Sequence, residues 1–176
     1  MRRHARWATV VAAVAVILTM AGCGARPEPV QRATMDVFEV GDCVALPPTT
    51  PGDPGTLRAE EVSCAQDPSY TVGATANDAG ACPSKEYQHL AADYVDPTTS
   101  RLCLVPNLVA SHCYVMELPV GVVERADCTD RNQQGLLVQV TQRLDVRDQR
   151  ACPTAAGQYA WPYPSPARTY CTLTIF

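Results

Sequence analysis

Nine cysteines in 176 residues are the feature that most restricts how this chain folds. Thiols at this density are typical of proteins from oxidising compartments, where disulfides supplement a small apolar core. One of them, Cys23, ends a predicted export signal, which leaves an even number that can pair completely. The remaining eight are Cys43, Cys64, Cys82, Cys103, Cys113, Cys128, Cys152 and Cys171. The sequence therefore predicts an extracytoplasmic protein that is stabilised by disulfides.

Residues 1–22 have the pattern of a bacterial lipoprotein signal peptide. Basic residues precede an apolar run over residues 7–20, which is too short for a helix that crosses the roughly 30 Å hydrocarbon core. The run ends in Met20-Ala21-Gly22-Cys23, which resembles the lipobox, whose cysteine receives a diacylglycerol thioether and becomes the new N-terminus. We predict lipid attachment at Cys23 and a location on the extracytoplasmic face of the cell membrane; the alternative is an ordinary secretory signal.

A short tether and an acidic globular region follow the predicted anchor. Residues 23–36 contain Pro27 and Pro29 and no apolar periodicity, which predicts a partly extended tether. The formal charge is −4 for the whole chain and −7 once the three arginines of the signal are removed. Since an acidic protein is repelled by nucleic-acid phosphates, and no basic run opposes this, we exclude nucleic acid as a partner.

The cysteines and their neighbours indicate an internal repeat of about sixty-five residues. The strongest match aligns Ala81-Cys82-Pro83-Ser84 with Ala151-Cys152-Pro153-Thr154. A second match aligns Val72-Gly73-Ala74-Thr75 with Val138-Gln139-Val140-Thr141. We predict a first cysteine-rich half over residues 37–107 and a second over residues 108–176. Whether the halves form one domain or two stays open.

The repeat restricts how the eight cysteines pair. Confining bonds to each half, with one pattern in both, leaves three of the many possible pairings. Among these we prefer the sequential pattern 43–64, 82–103, 113–128 and 152–171. Each such bond stabilises the fold by about 3 kcal/mol in the chain-entropy view. No metal site is predicted, because the chain has no Cys-x-x-Cys pair.

Short segments with alternating apolar residues predict antiparallel strands in both halves. A helix is predicted at about residues 84–94, because Ser84 is a suitable N-cap and four apolar side chains follow on one side. These side chains are Tyr87, Leu90, Ala91 and Tyr94. The second half has Gly157 and several prolines at the matching place, so any helix there is a turn or two. The expected fold class is α+β and β-rich: two tandem related halves of short antiparallel strands, with one short helix in the first half.

These landmarks resemble a family of envelope lipoproteins. The Val40-Gly41-Asp42-Cys43-Val44 opening, the paired Cys-Pro-Ser/Thr motifs and the duplicated layout are similar to the LppU-type lipoproteins of actinobacteria. The Gly-Asp-Cys opening also resembles the septum-formation family of envelope domains, over fewer landmarks. The LppU-type resemblance spans about residues 37–175. It implies an envelope location and supplies no catalytic residue.

The sequence shows no catalytic motif. His89 and His112 are the histidines beyond the signal, and neither lies in a hydrolase motif. His112 takes the place of Asp42 in the first half, so an envelope hydrolase with an unrecognised site near His112 is one alternative. A carrier of a small apolar ligand is another. We predict no catalytic residue, no metal and no cofactor.

The sequence favours a binding function over a catalytic one. Tyr159, Trp161 and Tyr163 lie in a stretch rich in proline, whose fixed backbone favours a rigid stacking surface. The simpler interpretation is that these rings cover the core of the second half. We predict a non-catalytic, lipid-anchored module that binds an envelope protein or a cell-wall component. The three rings and the cleft between the halves are its candidate binding surface.

Overall fold

The computed structural model describes residues 37–47, 56–116 and 122–176. The predicted signal peptide, Cys23 and the tether over residues 23–36 lie outside the described residues. All described residues belong to one compact unit, so the two cysteine-rich halves fold together. None of its helices is long and apolar enough to cross a lipid bilayer.

The described residues form two antiparallel sheets, as the β-rich prediction requires. The strands are β1 Cys43–Ala45, β2 Glu60–Glu61, β3 Ser69–Thr75, β4 Leu102–Asn107, β5 Cys113–Met116, β6 Val123–Ala126, β7 Leu136–Leu144, β8 Gln158–Pro164 and β9 Ala167–Thr174. Single turns of 3-10 helix span Thr99–Arg101 and Gln149–Ala151. The first sheet has the order β2-β1-β3-β4, and the second has the order β6-β5-β7-β9-β8.

The second sheet repeats the strand order of the first. β5, β6, β7 and β9 take the places of β1, β2, β3 and β4, and β8 is added beside β9. A β-bulge follows Val72 in the first sheet and Val140 in the second. The pairing therefore equates Val72 with Val140, and the predicted alignment of Val72 with Val138 is wrong by two residues. Because side chains alternate between faces with a period of two, this error leaves each of them on its predicted face.

The predicted helix at residues 84–94 is wrong, since this segment contains no α-helix. Two backbone hydrogen bonds hold it beside β4 instead. The Gln88 amide donates to the Leu104 carbonyl at 2.9 Å, and the Leu104 amide donates to the Gln88 carbonyl at 2.8 Å. These bonds take the backbone groups that a helix would use internally, so tertiary pairing overrides the local pattern.

The Ser84 hydroxyl does form the bond that a helix cap would make, but no helix follows it. It accepts from the Glu86 amide at 3.2 Å, and the chain continues in turns. Tyr87 and Leu90 are buried, whereas Ala91 is exposed and Tyr94 is 45% exposed, so the four side chains do not form one buried face. The apolar pattern therefore predicted two core residues correctly, although the backbone conformation that it predicted was wrong.

The matching segment of the second half is the strand β8. It pairs with β9 along its whole length, and Tyr159 lies opposite Thr172. In the first half, an isolated bridge between Gln88 and Leu104 occupies the equivalent place. In both halves, the segment after the Cys-Pro motif thus pairs with the last strand. The pairing is a single bridge in the first half and a full strand in the second.

The predicted disulfides are present, and they join the cysteines in sequential order. The bonds are Cys43–Cys64, Cys82–Cys103, Cys113–Cys128 and Cys152–Cys171, with sequence separations of 21, 21, 15 and 19. In each pair one partner is a buried strand residue, at β1, β4, β5 or β9. Each bond therefore joins a connecting segment to a buried position on a strand.

Both sheets share one apolar core. Val44 and Leu104 of the first sheet belong to the same buried cluster as Val138 and Val140 of the second. Burial of this side-chain area from both halves is the main favourable contribution to folding, at about 25 cal/mol per Å². The halves therefore depend on each other for a core.

Buried tyrosines connect the halves by hydrogen bonds. The largest fully buried side chains are Tyr70, Tyr114 and Tyr170. The Tyr70 hydroxyl accepts from the Val123 amide at 2.8 Å, and the Tyr170 hydroxyl donates to the Pro106 carbonyl at 2.7 Å. The hydroxyls of Tyr70 and Tyr170 thus bond to the backbone of the other half, and that of Tyr114 bonds to the Asp67 side chain of the first half.

Candidate functional site

Strand β8 carries the three rings of the predicted binding surface on one face. Tyr159, Trp161 and Tyr163 are separated by single residues, so their side chains leave the same side of the sheet. β8 is an edge strand that pairs only with β9 within the part of the chain that the structure describes. Prolines such as Pro162 are tolerated on an edge strand, where the lost N–H does not interrupt a sheet.

Exposure rises along this row of rings. Tyr163 is 8% exposed and packs edge-on against Tyr170, with 6.1 Å between ring centroids. Trp161 is partly buried, and its Nε1–H donates to the Thr172 hydroxyl at 2.8 Å, which fixes the indole. Tyr159 is 54% exposed, with its ring centroid 6.4 Å from that of Trp161. Tyr163 is thus a core residue, whereas Trp161 and Tyr159 remain accessible.

An open cleft of about 320 Å³, here called the aromatic cleft, lies beside Trp161. Residues 85–88 of the first half form one part of its lining. The second half contributes Met116, Trp161, Pro162 and Tyr163. Two rings of the predicted aromatic row, Trp161 and Tyr163, therefore line a cleft between the halves, whereas Tyr159 lies outside its lining.

The rim of the aromatic cleft is polar. Lys85, Glu86 and Gln88 supply hydrogen-bond donors and acceptors beside the rings. Arg147 holds Glu86 with two bonds, from Nε to Oε2 at 2.7 Å and from Nη2 to Oε1 at 2.9 Å. The hydrogen bonds and the charge of Glu86 raise the pKa of Arg147. The carboxylate therefore has a fixed position at the mouth of the cleft.

A much smaller apolar cavity lies behind Trp161. Its volume is about 30 Å³, and Leu108, Val138 and Tyr170 are part of its wall. This is room for a water molecule or two and far too little for an acyl chain. The cavity gives no support to the alternative of a carrier for an apolar ligand.

A second polar group, here called the Asp67 cluster, joins the halves. The Asp67 carboxylate accepts from Tyr114 Oη at 2.5 Å, and it lies 2.6 Å from both His112 Nδ1 and Arg125 Nη1. Its side chain is only 17% exposed. Burial, and then the bond to Asp67, raises the pKa of the Tyr114 hydroxyl. One carboxylate of the first half thus collects three donors from the second.

The Asp67 cluster contains part of a catalytic arrangement. A carboxylate on His112 Nδ1 orients the ring and leaves Nε2 toward solvent, as in acid–base catalysis. Nε2 makes no hydrogen bond in the described residues, so no serine, threonine or cysteine nucleophile is paired with it there. The contacts present are those of a cross-link between the halves.

The other residues named from the sequence have structural places. His89 Nε2 lies 2.8 Å from the Ser100 carbonyl, which makes it part of the local scaffold. The eight cysteines beyond Cys23 are all in disulfides. In the described residues, no group of three or more His, Cys, Asp and Glu side chains is placed to hold a metal ion.

Two residues of evident importance, Asp67 and Arg168, were not anticipated. Asp67 bonds to a residue 45 positions away, and the buried Arg168 bonds to Asn107, 61 positions away. No local pattern reports such long-range pairs. The only available signal was the contrast between Asp42 and His112 at equivalent places, which indicated that the second position is specialised.

Comparisons of this chain with protein-family models, with curated proteins and with solved structures find no significant match.

Proposed function

We propose that this protein is a non-catalytic, lipid-anchored module of the bacterial cell envelope that binds cell-wall glycan in the aromatic cleft. The observation that carries the proposal is Trp161, an accessible indole held in place by Thr172 beside a concave surface with a polar rim. The lipobox at Cys23 and the resemblance to LppU-type lipoproteins support an envelope location. The oxidised cysteine framework is consistent with export.

Sugars suit this surface because they have both apolar and polar faces. The C–H face of a pyranose stacks on an aromatic ring, while its hydroxyls form hydrogen bonds at the edge. Trp161 supplies a ring in the cleft, with the exposed Tyr159 beside it on β8, and Lys85 and Glu86 supply a donor and an acceptor. A volume of about 320 Å³ is at the small end of ligand pockets, which fits one or two sugar units.

A protein partner fits the same surface less well. Stable protein interfaces cover about 800 Å² per partner and centre on large apolar anchors. On β8 only Tyr159 is a large, strongly exposed apolar side chain, since Tyr163 is buried and Trp161 partly so. A concave site for a short polymer segment is the better match.

The tryptophans allow a direct test of glycan binding. The chain has two, and Trp7 lies in the predicted signal peptide, so Trp7→Phe leaves Trp161 as the only one whether or not the signal is cleaved. We expect oligosaccharides of N-acetylglucosamine or of neutral hexoses to change the emission of this variant with saturation. Unchanged emission with every oligosaccharide, together with no sedimentation of the protein with purified cell walls, would refute the proposal.

Variants then locate the binding. Trp161→Ala should weaken co-sedimentation with cell walls about tenfold or more, in line with the loss of a central aromatic anchor. Lys85→Ala, at the exposed rim, should weaken it less and leave the core intact. Tyr94→Ala is the matched control, because Tyr94 is an exposed aromatic outside the cleft lining. Equal loss in all three variants would mean that the cleft is not the site.

The alternative function, an envelope hydrolase, has one specific observation in its favour, the bond between Asp67 and His112. It also has a distinct test. His112→Ala should leave wall binding unchanged if the protein is a binding module. Loss of a cellular phenotype in a folded His112→Ala protein that still binds cell walls would favour catalysis instead.

A further inference from the structure

Arg168, on strand β9, is a buried cation without a carboxylate partner. It is 8% exposed, and it takes part in none of the ion pairs found among the described residues. A charge removed from water is costly unless it is paired or fully hydrogen-bonded. An anion bound at this position would therefore compensate the buried positive charge.

The protein provides hydrogen-bond acceptors for Nη1 of this guanidinium and none for its other two nitrogens. Nη1 donates to the Pro106 carbonyl at 3.2 Å, to Asn107 Oδ1 at 2.6 Å and to the Tyr170 hydroxyl at 3.2 Å. Nε is buried and has no partner, and it is the one such side-chain atom in the described part of the chain. Nη2 also makes no hydrogen bond, but it is not fully buried. The edge formed by Nε and Nη2 is thus unpaired.

Arg147 shows what this edge binds in the same protein. There Nε and Nη2 grip the two carboxylate oxygens of Glu86 at 2.7 and 2.9 Å. Such two-point pairs are the preferred geometry of arginine with carboxylate and phosphate groups. Arg168 presents the same pair of donors with no acceptor.

An open cleft of about 430 Å³, here called the arginine cleft, borders Arg168. Arg143 is also in its lining, with Gly41, Thr71 and Asn107 of the first half. Arg143 has a single long ion pair, 3.4 Å from Nε to Asp145, whose side chain is 80% exposed. An ion pair that exposed compensates little of the charge, so two incompletely compensated guanidinium groups border this cleft.

We propose that the arginine cleft binds a small oxyanion, the carboxylate or phosphate group of an envelope ligand, on the Nε–Nη2 edge of Arg168. Arg143 supplies the second positive charge. Because Nε is shielded from solvent, the anion meets Nη2 first. The arginine cleft shares no lining residue with the aromatic cleft, so this inference is independent of glycan binding.

Arginine side-chain resonances provide the test. The full chain, labelled with ¹⁵N-arginine and kept in a non-ionic detergent, is titrated with inorganic phosphate and, separately, with acetate. Ionic strength is held constant with chloride. We expect saturable shifts of the Nε–H signals of Arg168 and Arg143 with at least one anion. The anion that binds more tightly distinguishes a phosphate-bearing ligand from a carboxylate-bearing one.

Substitutions separate binding from a purely structural role of Arg168. Arg143→Gln changes a surface residue, so the protein should stay folded while the anion binds about fivefold more weakly, which corresponds to about 1 kcal/mol. Arg150→Gln is the control, because Arg150 is exposed and lies outside the cleft lining. No saturable shift at Arg168 with either anion, or equal weakening by both substitutions, would overturn the proposal.

Discussion

At the scale of single residues, the two halves fill equivalent core positions with the same pair of side chains, a valine and a tyrosine, in exchanged places. Val44 of β1 lies opposite Tyr70 of β3 in the first sheet. In the second sheet Tyr114 of β5 lies opposite Val138 of β7. Each pair contributes one tyrosine and one valine, so the core volume is kept although neither position matches its equivalent. The exchange explains why the repeat is clear at the cysteines and weak between them.

A second residue-scale consequence concerns pH. Burial, and then nearby tyrosines, raise the pKa of the Tyr163 hydroxyl well above its ordinary value near about 10. An unfolded chain ionises this group near pH 10 while the folded chain keeps it neutral. The free energy of unfolding is therefore unaffected by Tyr163 below about pH 10. Above that pH, ionisation of Tyr163 in the unfolded chain lowers it by about 1.4 kcal/mol per pH unit.

Tyr163→Phe tests this linkage. The variant should lose about 1.4 kcal/mol less stability than the parent protein between pH 8 and pH 11, measured by urea unfolding. Tyr94→Phe is the control, because its side chain is 45% exposed, and it should follow the parent. An equal alkaline loss in the parent and in Tyr163→Phe would contradict the assignment.

At the scale of elements, the β-bulge of the first sheet makes room for a turn of the second. Gly73 lies in β3 beside the bulge after Val72. A Cβ atom at Gly73 would lie 2.1 Å from the Ser165 carbonyl oxygen and 2.5 Å from a ring carbon of Tyr87. Ser165 is in the turn between β8 and β9, so the backbones of the two halves meet at this glycine.

Gly73→Ala should consequently be strongly destabilising. Backbone atoms cannot move aside as a flexible side chain does, and overpacking of this kind costs about 3 kcal/mol. Thermal unfolding monitored by circular dichroism gives the measurement. A change of less than about 0.5 kcal/mol, the range of ordinary surface substitutions, would show that the turn is not held against the bulge.

Prediction from the sequence worked for elements defined by local signals. The cysteine framework and the alternating residues around Tyr70 and Val138 gave the strands and the β-rich class. The helix at residues 84–94 was wrong because the segment forms turns and a backbone bridge from Gln88 to Leu104 of β4, a partner that no local pattern indicates. Asp67 and Arg168 were missed because their bonding partners lie in the other half, where no local pattern indicates them.

At the scale of the whole molecule, the halves are joined by polar contacts as well as by a shared core. The Asp67 cluster, the Glu86–Arg147 pair and the bonds of Arg168 all cross from one half to the other. The buried core also draws on both sheets. A half on its own would expose that core and leave buried hydroxyls unpaired, at about 1–3 kcal/mol for each group.

This interdependence predicts that residues 37–107, expressed alone and oxidised, have no fixed tertiary structure despite two intact disulfides. The full chain should unfold in a single transition. Emission of Trp161 in the Trp7→Phe variant reports on the second half, and protection of the Leu104 amide from hydrogen exchange reports on the first. The two probes should give the same free energy of unfolding. A dispersed NMR spectrum from residues 37–107, or two separate transitions in the full chain, would instead mean that each cysteine-rich half is stable by itself and that the cross-links only orient the two.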